Sequence, residues 1–190
     1  MIRKIAITIW AAIAAASVAA YLIWPHYFSA HGVAAFLQKF QNEALACYLI
    51  ISIFRDFTLL PSTPLILAGA LLFPNEPLLV LAISIFGILA SSSMIYWFSD
   101  LLGISDYFEE KKPAVVRKIR SRLEHPVGFV FVLLWAFFPL VPTDAVCYVA
   151  GSIRMNFLKF ITAVFVGEVI LCSLYIFGGG HLIKNFLGFH

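Results

Sequence analysis

Four ionisable residues stand inside otherwise apolar stretches: Arg55 and Asp56 side by side, Asp144, and Glu168 directly after Gly167. Holding a charge at the centre of a bilayer costs about 2.5–3.5 kcal/mol even on the mildest insertion scale, so each is a candidate for function. A guanidinium beside free backbone amides at helix N-termini attracts an anionic head group. Carboxyl groups enclosed in the same cavity can take up and release protons, which would couple movement of a substrate to a proton gradient. Plainer roles stay open for each. Asp144 with Thr143 could cap a helix, Arg55 and Asp56 could neutralise one another or sit at the interface, and Glu168 could accept hydrogen bonds from the free amides of a broken helix.

Other chemistries find little support. Cys47, Cys147 and Cys172 lie in apolar stretches without CxxC spacing and read as packed thiols. His26 and His31 are five apart, on different faces of any helix, so neither a metal nor another cofactor is expected. There is no GxSxG, HExxH or Walker loop, and Gly178-Gly179-Gly180 follows a span without the strand and Lys of a phosphate loop. An enzyme is not expected.

The chain has 190 residues, 62% hydrophobic and 12% charged, with a mean hydropathy of +0.96. Soluble domains are roughly 45–50% apolar, and a water-soluble fold of this length would lack the polar surface to cover itself. A net charge of +3 is too small and too local to indicate nucleic acid as a partner.

The elements that must position the four charges follow from where apolar runs break. Ile5–Trp24 carries no charge, is long enough to span, and follows Arg3 and Lys4, so it reads as a retained transmembrane helix with its N-terminus in the cytoplasm. A cleaved secretory signal would share the basic start but has a shorter apolar core. Up to Glu43, Phe36, Leu37, Phe40 and Ala44 recur at helical spacing and predict a short helix on the outer interface. Ala44–Leu60 and Thr63–Phe73 then read as two arms of a re-entrant hairpin broken at Pro61-Ser62-Thr63-Pro64, with Thr63 as N-cap and Pro64 at the first helical position. Pro77–Phe98 is an uninterrupted span.

Ser105–His125 carries six bases against four acids, fitting a cytoplasmic loop. Within it Val115, Val116, Ile119 and Leu123 mark either a basic amphipathic helix on the inner leaflet or a solvated linker helix. Pro126–Ile153 repeats the broken pattern, with Pro139, Pro142, Thr143 and Asp144 at the break, and Phe157–Phe177 is again a full span. Aligning Pro61 with Pro142 brings Gly69 and Gly151 into near register. A single crossing between the two hairpins makes the repeats inverted, an arrangement by which secondary transporters build a central site.

The segments from Arg55 to Phe73 and from Phe138 to Gly151, with Gly167-Glu168, resemble the two hairpin motifs and last block of the DedA/VTT family, also called SNARE-associated Golgi proteins. The resemblance covers about residues 44–179. It implies two facing re-entrant hairpins and transport or scrambling of lipids; bacterial relatives are linked to recycling of undecaprenyl phosphate and to proton-dependent membrane homeostasis. By position Asp56 falls in the acidic part of the first hairpin, and Pro139, Pro142, Asp144 and Gly151 in the second. Many relatives carry Arg three residues before the first Pro of the second motif, where this chain has Ala136. A phosphate grip must then come from Arg55 or from backbone amides.

The expectation is an all-α polytopic membrane protein: residues 1–43 as an N-terminal transmembrane and interfacial part, 44–180 as an inverted repeat of re-entrant hairpin plus transmembrane helix, 181–190 as a tail. Its expected function is transport of an anionic lipid, a polyprenyl phosphate or phospholipid, across a bacterial inner membrane, with membrane lipids and protons as partners and self-association left open. Arg55, Asp56, Asp144 and Glu168 would line the pathway. A non-transporting membrane scaffold and a small-solute or ion transporter are the competing classes.

Overall fold

A computed structural model describes residues 2–40, 43–58, 60–101, 110–111, 113–138 and 143–178. Their regular structure is helical throughout: α1 (Ile2–Ile23), α2 (Ala30–Gln38), α3 (Ala44–Phe54) running into a 3-10 turn (Arg55–Thr58), α4 (Thr63–Leu72), α5 (Pro77–Leu101), α6 (Pro113–Glu124), α7 (Pro126–Phe137), α8 (Thr143–Ser152) and α9 (Phe157–Phe177).

The boundaries have local causes. Proline opens α5, α6 and α7, where its fixed φ suits the first turn and its missing N–H is not needed. Asn156 caps α9 by accepting from the Lys159 amide, and Ser29 caps α2 by accepting from Gly32. After α8 the chain reverses with Arg154 in the left-handed region (φ 52°), while Met155 N–H bonds to Ala150 C=O and Arg154 N–H to Gly151 C=O. That is the Schellman pattern, which satisfies the last carbonyls of the helix. Tyr96 on α5 donates to the Met155 carbonyl and Arg120 on α6 to the Ile153 carbonyl, so this turn is held from two sides.

Helices α5 and α9 are long and apolar enough to cross a bilayer, over Pro77–Ser99 and Phe157–Phe177. At 1.5 Å per residue they reach about 30 Å or more, whereas ten-residue α4 and α8 reach about 15 Å. Leu78, Phe86 and Trp97 on α5 and Leu158, Phe165 and Leu174 on α9 are exposed, an apolar face suited to lipid rather than water.

The element boundaries are regularly spaced. The short helices α4 and α8 are both ten residues long and start 80 residues apart (63 and 143); the long helices also start 80 residues apart (77 and 157). The spacing read from the prolines, 61 to 142, is one residue too long, because the arms align on Thr63 and Thr143. Packing follows the same pattern: α5 lies against α3 and α8, α9 against α7 and α4, and the two long helices touch each other. Each long helix therefore takes the first arm of its own unit and the second arm of the other. Gly167 permits one of these contacts, since a Cβ there would stand 2.7 Å from the Leu133 carbonyl oxygen and 2.9 Å from the Ala136 Cβ of α7. Gly87, its counterpart on α5, faces Ser52 of α3 in the same manner.

The main core gathers Ile95, Tyr96, Val132, Cys147, Phe160 and Val164 between α5, α7, α8 and α9. A second cluster joins Leu37 of α2, Tyr48 of α3 and Leu65 of α4.

Three expectations change in detail. The first arm does not run as α-helix to Leu60; it stops at Phe54 and tightens into the 3-10 turn that carries Arg55. Thr63 is the first helical residue rather than the N-cap; Ser62 holds the cap position without a side-chain bond, and the Thr63 hydroxyl is used elsewhere. In α2, Ala34 and Leu37 are buried within the protein while Phe36 and Phe40 remain exposed, so one face of the helix is part of the core. Pro139, Pro142 and the tail 181–190 lie outside the described residues.

Candidate functional site

Both short arms aim their first residue at α9. Thr143 opens α8, and its hydroxyl donates to Glu168 Oε1 at 2.7 Å. Thr63 opens α4, and its hydroxyl lies 3.4 Å from the Tyr175 hydroxyl, to which it donates. Glu168 and Tyr175 are seven residues apart and so share a face of α9. One turn beyond Glu168, Cys172 Sγ donates to the other carboxylate oxygen, Oε2, at 3.9 Å. Glu168 and Asp144 are each only 1% exposed, and Thr143 is 9% exposed. Water therefore does not replace the hydroxyl on the carboxylate.

The basic side of the site comes from the first unit. Arg55 is buried, at 8% exposure, and its Nη1 donates to the Leu60 carbonyl at 3.1 Å across the break. Its guanidinium is within electrostatic range of Tyr48 and of Cys172, and Cys172 is in turn within range of Glu168. Tyr48 and Ser84 join their hydroxyls at 2.7 Å, tying α3 to α5. Between these groups is a chamber of about 10 Å³ lined by Tyr48, Ser52, Arg55, Ser62 and Ser84, roughly the room of one water.

The two units contribute differently. Eighty residues after Arg55 the chain has Trp135; eighty before Glu168 and Asp144 it has Ile88 and Pro64. Among the described side chains, Arg55 comes from the first unit and Asp144 and Glu168 from the second. Such an arrangement can receive an anion at Arg55 and the N-terminal ends of α4 and α8, where backbone amides and the helix dipole favour negative charge. It can also exchange a proton at Glu168, whose carboxyl is already hydrogen-bonded to a hydroxyl and a thiol.

Of the residues expected at the site, Arg55, Thr63, Thr143 and Glu168 converge, and Asp144 is buried in the first turn of α8. The Asp56 side chain lies outside the described residues. Pro61 and Pro64 line an apolar cavity beside Arg55, and Gly69 lies under the Tyr48 hydroxyl. Gly151 sits on the α5 backbone at Tyr96, so it serves packing. Thr143 directs its hydroxyl to Glu168 rather than to its own helix amides, and Glu168 takes a hydroxyl and a thiol. Ala136, where the resembled family carries Arg, is fully buried against Gly167.

Tyr48, Ser84, Cys172 and Tyr175 were not expected in the site. For Cys172 and Tyr175 a signal existed, since both follow Glu168 at helical spacings of four and seven. Tyr48 and Ser84 meet only through tertiary packing, and no local pattern announces them. Among the described residues no group of three or more His, Cys, Asp or Glu could hold a metal ion.

Compared with known protein families, residues 60–181 match the VTT domain family. No curated protein and no solved structure matches the chain.

Proposed function

The chain belongs to the VTT domain family, a family of membrane proteins of transporter-like character, and from that premise we propose that it carries an anionic lipid across the bilayer in exchange with protons. The observation that supports this most is the buried hydrogen bond from Thr143 at the head of α8 to Glu168 on α9, with Arg55 of the other unit in electrostatic reach of the same face. In this reading the arms α3–α4 and α7–α8 are re-entrant and enter from opposite faces, α1 is a third crossing with a cytoplasmic N-terminus, and the membrane is a bacterial inner membrane. The head group of a polyprenyl phosphate or phospholipid enters between the short arms. Arg55 and the amides after Thr63 and Thr143 hold its phosphate, a guanidinium being matched to two phosphate oxygens at once.

Glu168 supplies the coupling. As a carboxylate it accepts from Thr143 and clamps α8 to α9; once protonated it becomes a donor, the clamp loosens, and the cleft can change the side to which it opens. Asp144, buried one residue further on, is a second proton carrier. Replacing Glu168 by Gln and Asp144 by Asn removes the gradient dependence of lipid movement in folded protein; unchanged gradient dependence in both variants would refute the proton assignment.

One observation favours a second reading, a membrane scaffold: α6 exposes Arg117, Lys118 and Arg122, a basic surface suited to anionic lipid or an acidic partner. Changing those three to Gln separates the readings, because a scaffold loses function and a transporter keeps it. Arg120 is left in place, since it holds the Ile153 carbonyl.

A further inference from the structure

The N-terminal elements α1 and α2 precede the matched residues 60–181, yet they build onto the site. The cluster of Leu37, Tyr48 and Leu65 fixes α2 to the first arm pair, and α1 packs on the 3-10 turn that carries Arg55. Between them is a cavity of about 360 Å³, within the range of small-molecule sites. Its walls include Tyr21 from α1, Phe28 from the following turn, Val33 and Phe36 from α2, and Leu65 from α4, and Arg55 is the charged residue that lines it. The turn is itself held in place: Tyr21 and Phe28 meet with ring centres 5.8 Å apart, and Ser29 donates to the His26 carbonyl while capping α2.

Arg55 also lines the small chamber bounded by Tyr48, Ser52, Ser62 and Ser84 together with Leu65, Ile66 and Ile88. Arg55 is thus shared between an apolar cavity and a small chamber that carries hydroxyls. An apolar cavity with one buried guanidinium in its wall matches an amphiphile with an acidic end. At about 360 Å³ the cavity has room for a length of hydrocarbon chain.

We infer that α1, its following turn and α2 form a tail-binding site for a hydrocarbon chain that ends in an anionic head at Arg55. Binding at this site is a claim separate from translocation, and it rests on the transport reading only for what happens to the ligand afterwards.

The full-length protein in zwitterionic nanodiscs is exposed to dodecyl phosphate carrying a diazirine near the chain end, and to the matching diazirine alcohol. Cross-linked peptides are then mapped. The expected result is labelling concentrated in residues 21–36 and 60–65, displaced by unlabelled dodecyl phosphate, and at least fivefold weaker with the alcohol. Val33→Trp fills the cavity and abolishes that labelling. Arg55→Gln lowers the phosphate to the level of the alcohol, and Arg55→Lys, which keeps the charge, restores part of it. Equal labelling by phosphate and alcohol, labelling spread over the outer faces of α5 and α9, or labelling unchanged in folded Val33→Trp each overturns the site. Labelling as expected in a protein that translocates no lipid supports this site and refutes the transport reading. Translocation with labelling scattered over α5 and α9 does the reverse.

Discussion

Removing the hydroxyl of Thr143 tests whether the clamp on Glu168 is as strong as its surroundings imply. Thr143→Val keeps the shape and deletes only the donor; Glu168→Gln keeps the shape and deletes the charge. The oxygens are 2.7 Å apart, the usual distance for a hydroxyl bond and at the long edge of charge-assisted ones. With Glu168 at 1% exposure, no water replaces the lost donor. Bonds to charged groups are worth about 1.5–3 kcal/mol, whereas side-chain bonds inside membrane proteins average about 0.6 with a maximum near 1.7. The Cys172 thiol, 3.9 Å from the other oxygen, is too distant to share the load equally. A coupling of about 1.5 kcal/mol is therefore expected between the two substitutions, about a tenfold change in the unfolding equilibrium. It is measured as a double-mutant cycle by titrating denaturing detergent into mixed micelles and following tryptophan fluorescence, with Trp135 on α7 beside α9 as a reporter. Coupling below about 0.3 kcal/mol, inside the scatter of independent sites, would refute the clamp.

Three further substitutions test the packing that holds the site. Gly151→Val places a Cβ 2.3 Å from the Tyr96 carbonyl oxygen, so α8 must move off α5; a loss of about 3 kcal/mol or more and a lower melting temperature are expected by thermal unfolding, and an unchanged melting temperature would contradict the close approach. Ala136→Arg, which restores the resembled family's residue, drives a charge between α7 and α9 where Ala136 is fully buried; phosphate binding should not rise, and stability should fall by about 3 kcal/mol or more, whereas a stable variant with tighter binding would show that this contact can open. Tyr48→Phe removes the 2.7 Å bond to Ser84, whose hydroxyl retains the Val80 carbonyl, so a loss of about 1 kcal/mol is expected in the same detergent titration, and none would mean the pair is not formed.

Much of the frame was legible because membrane helices are bounded by simple physics. Uninterrupted apolar length marks α5 and α9, and proline marks where the shorter arms start. The last span, Phe157–Phe177, agrees with the sequence reading residue for residue, since Asn156 caps one end and Gly178 closes the other. The spacing of the short arms was legible to within one residue: prolines at 61 and 142 are the conspicuous marks, while the helices start 80 residues apart at the less conspicuous Thr63 and Thr143. Arg55 and Glu168 could be named from their type alone, because a charge in an apolar run needs a reason. Their partners could not. Which hydroxyl reaches Glu168 depends on α8 meeting α9 across 25 residues of chain. The cavity against Arg55 was equally hidden, because the apolar stripe of α2 reads the same whether it faces a membrane surface or the first arm pair.

Head-group translocation in proteoliposomes tests the central claim most directly, with a labelled polyprenyl phosphate and a labelled phospholipid followed with and without an imposed pH gradient. The account predicts movement of an anionic lipid that depends on the gradient and is lost with Glu168→Gln. No movement of either lipid by folded protein would contradict it and leave the scaffold, with its basic α6 surface, as the better reading.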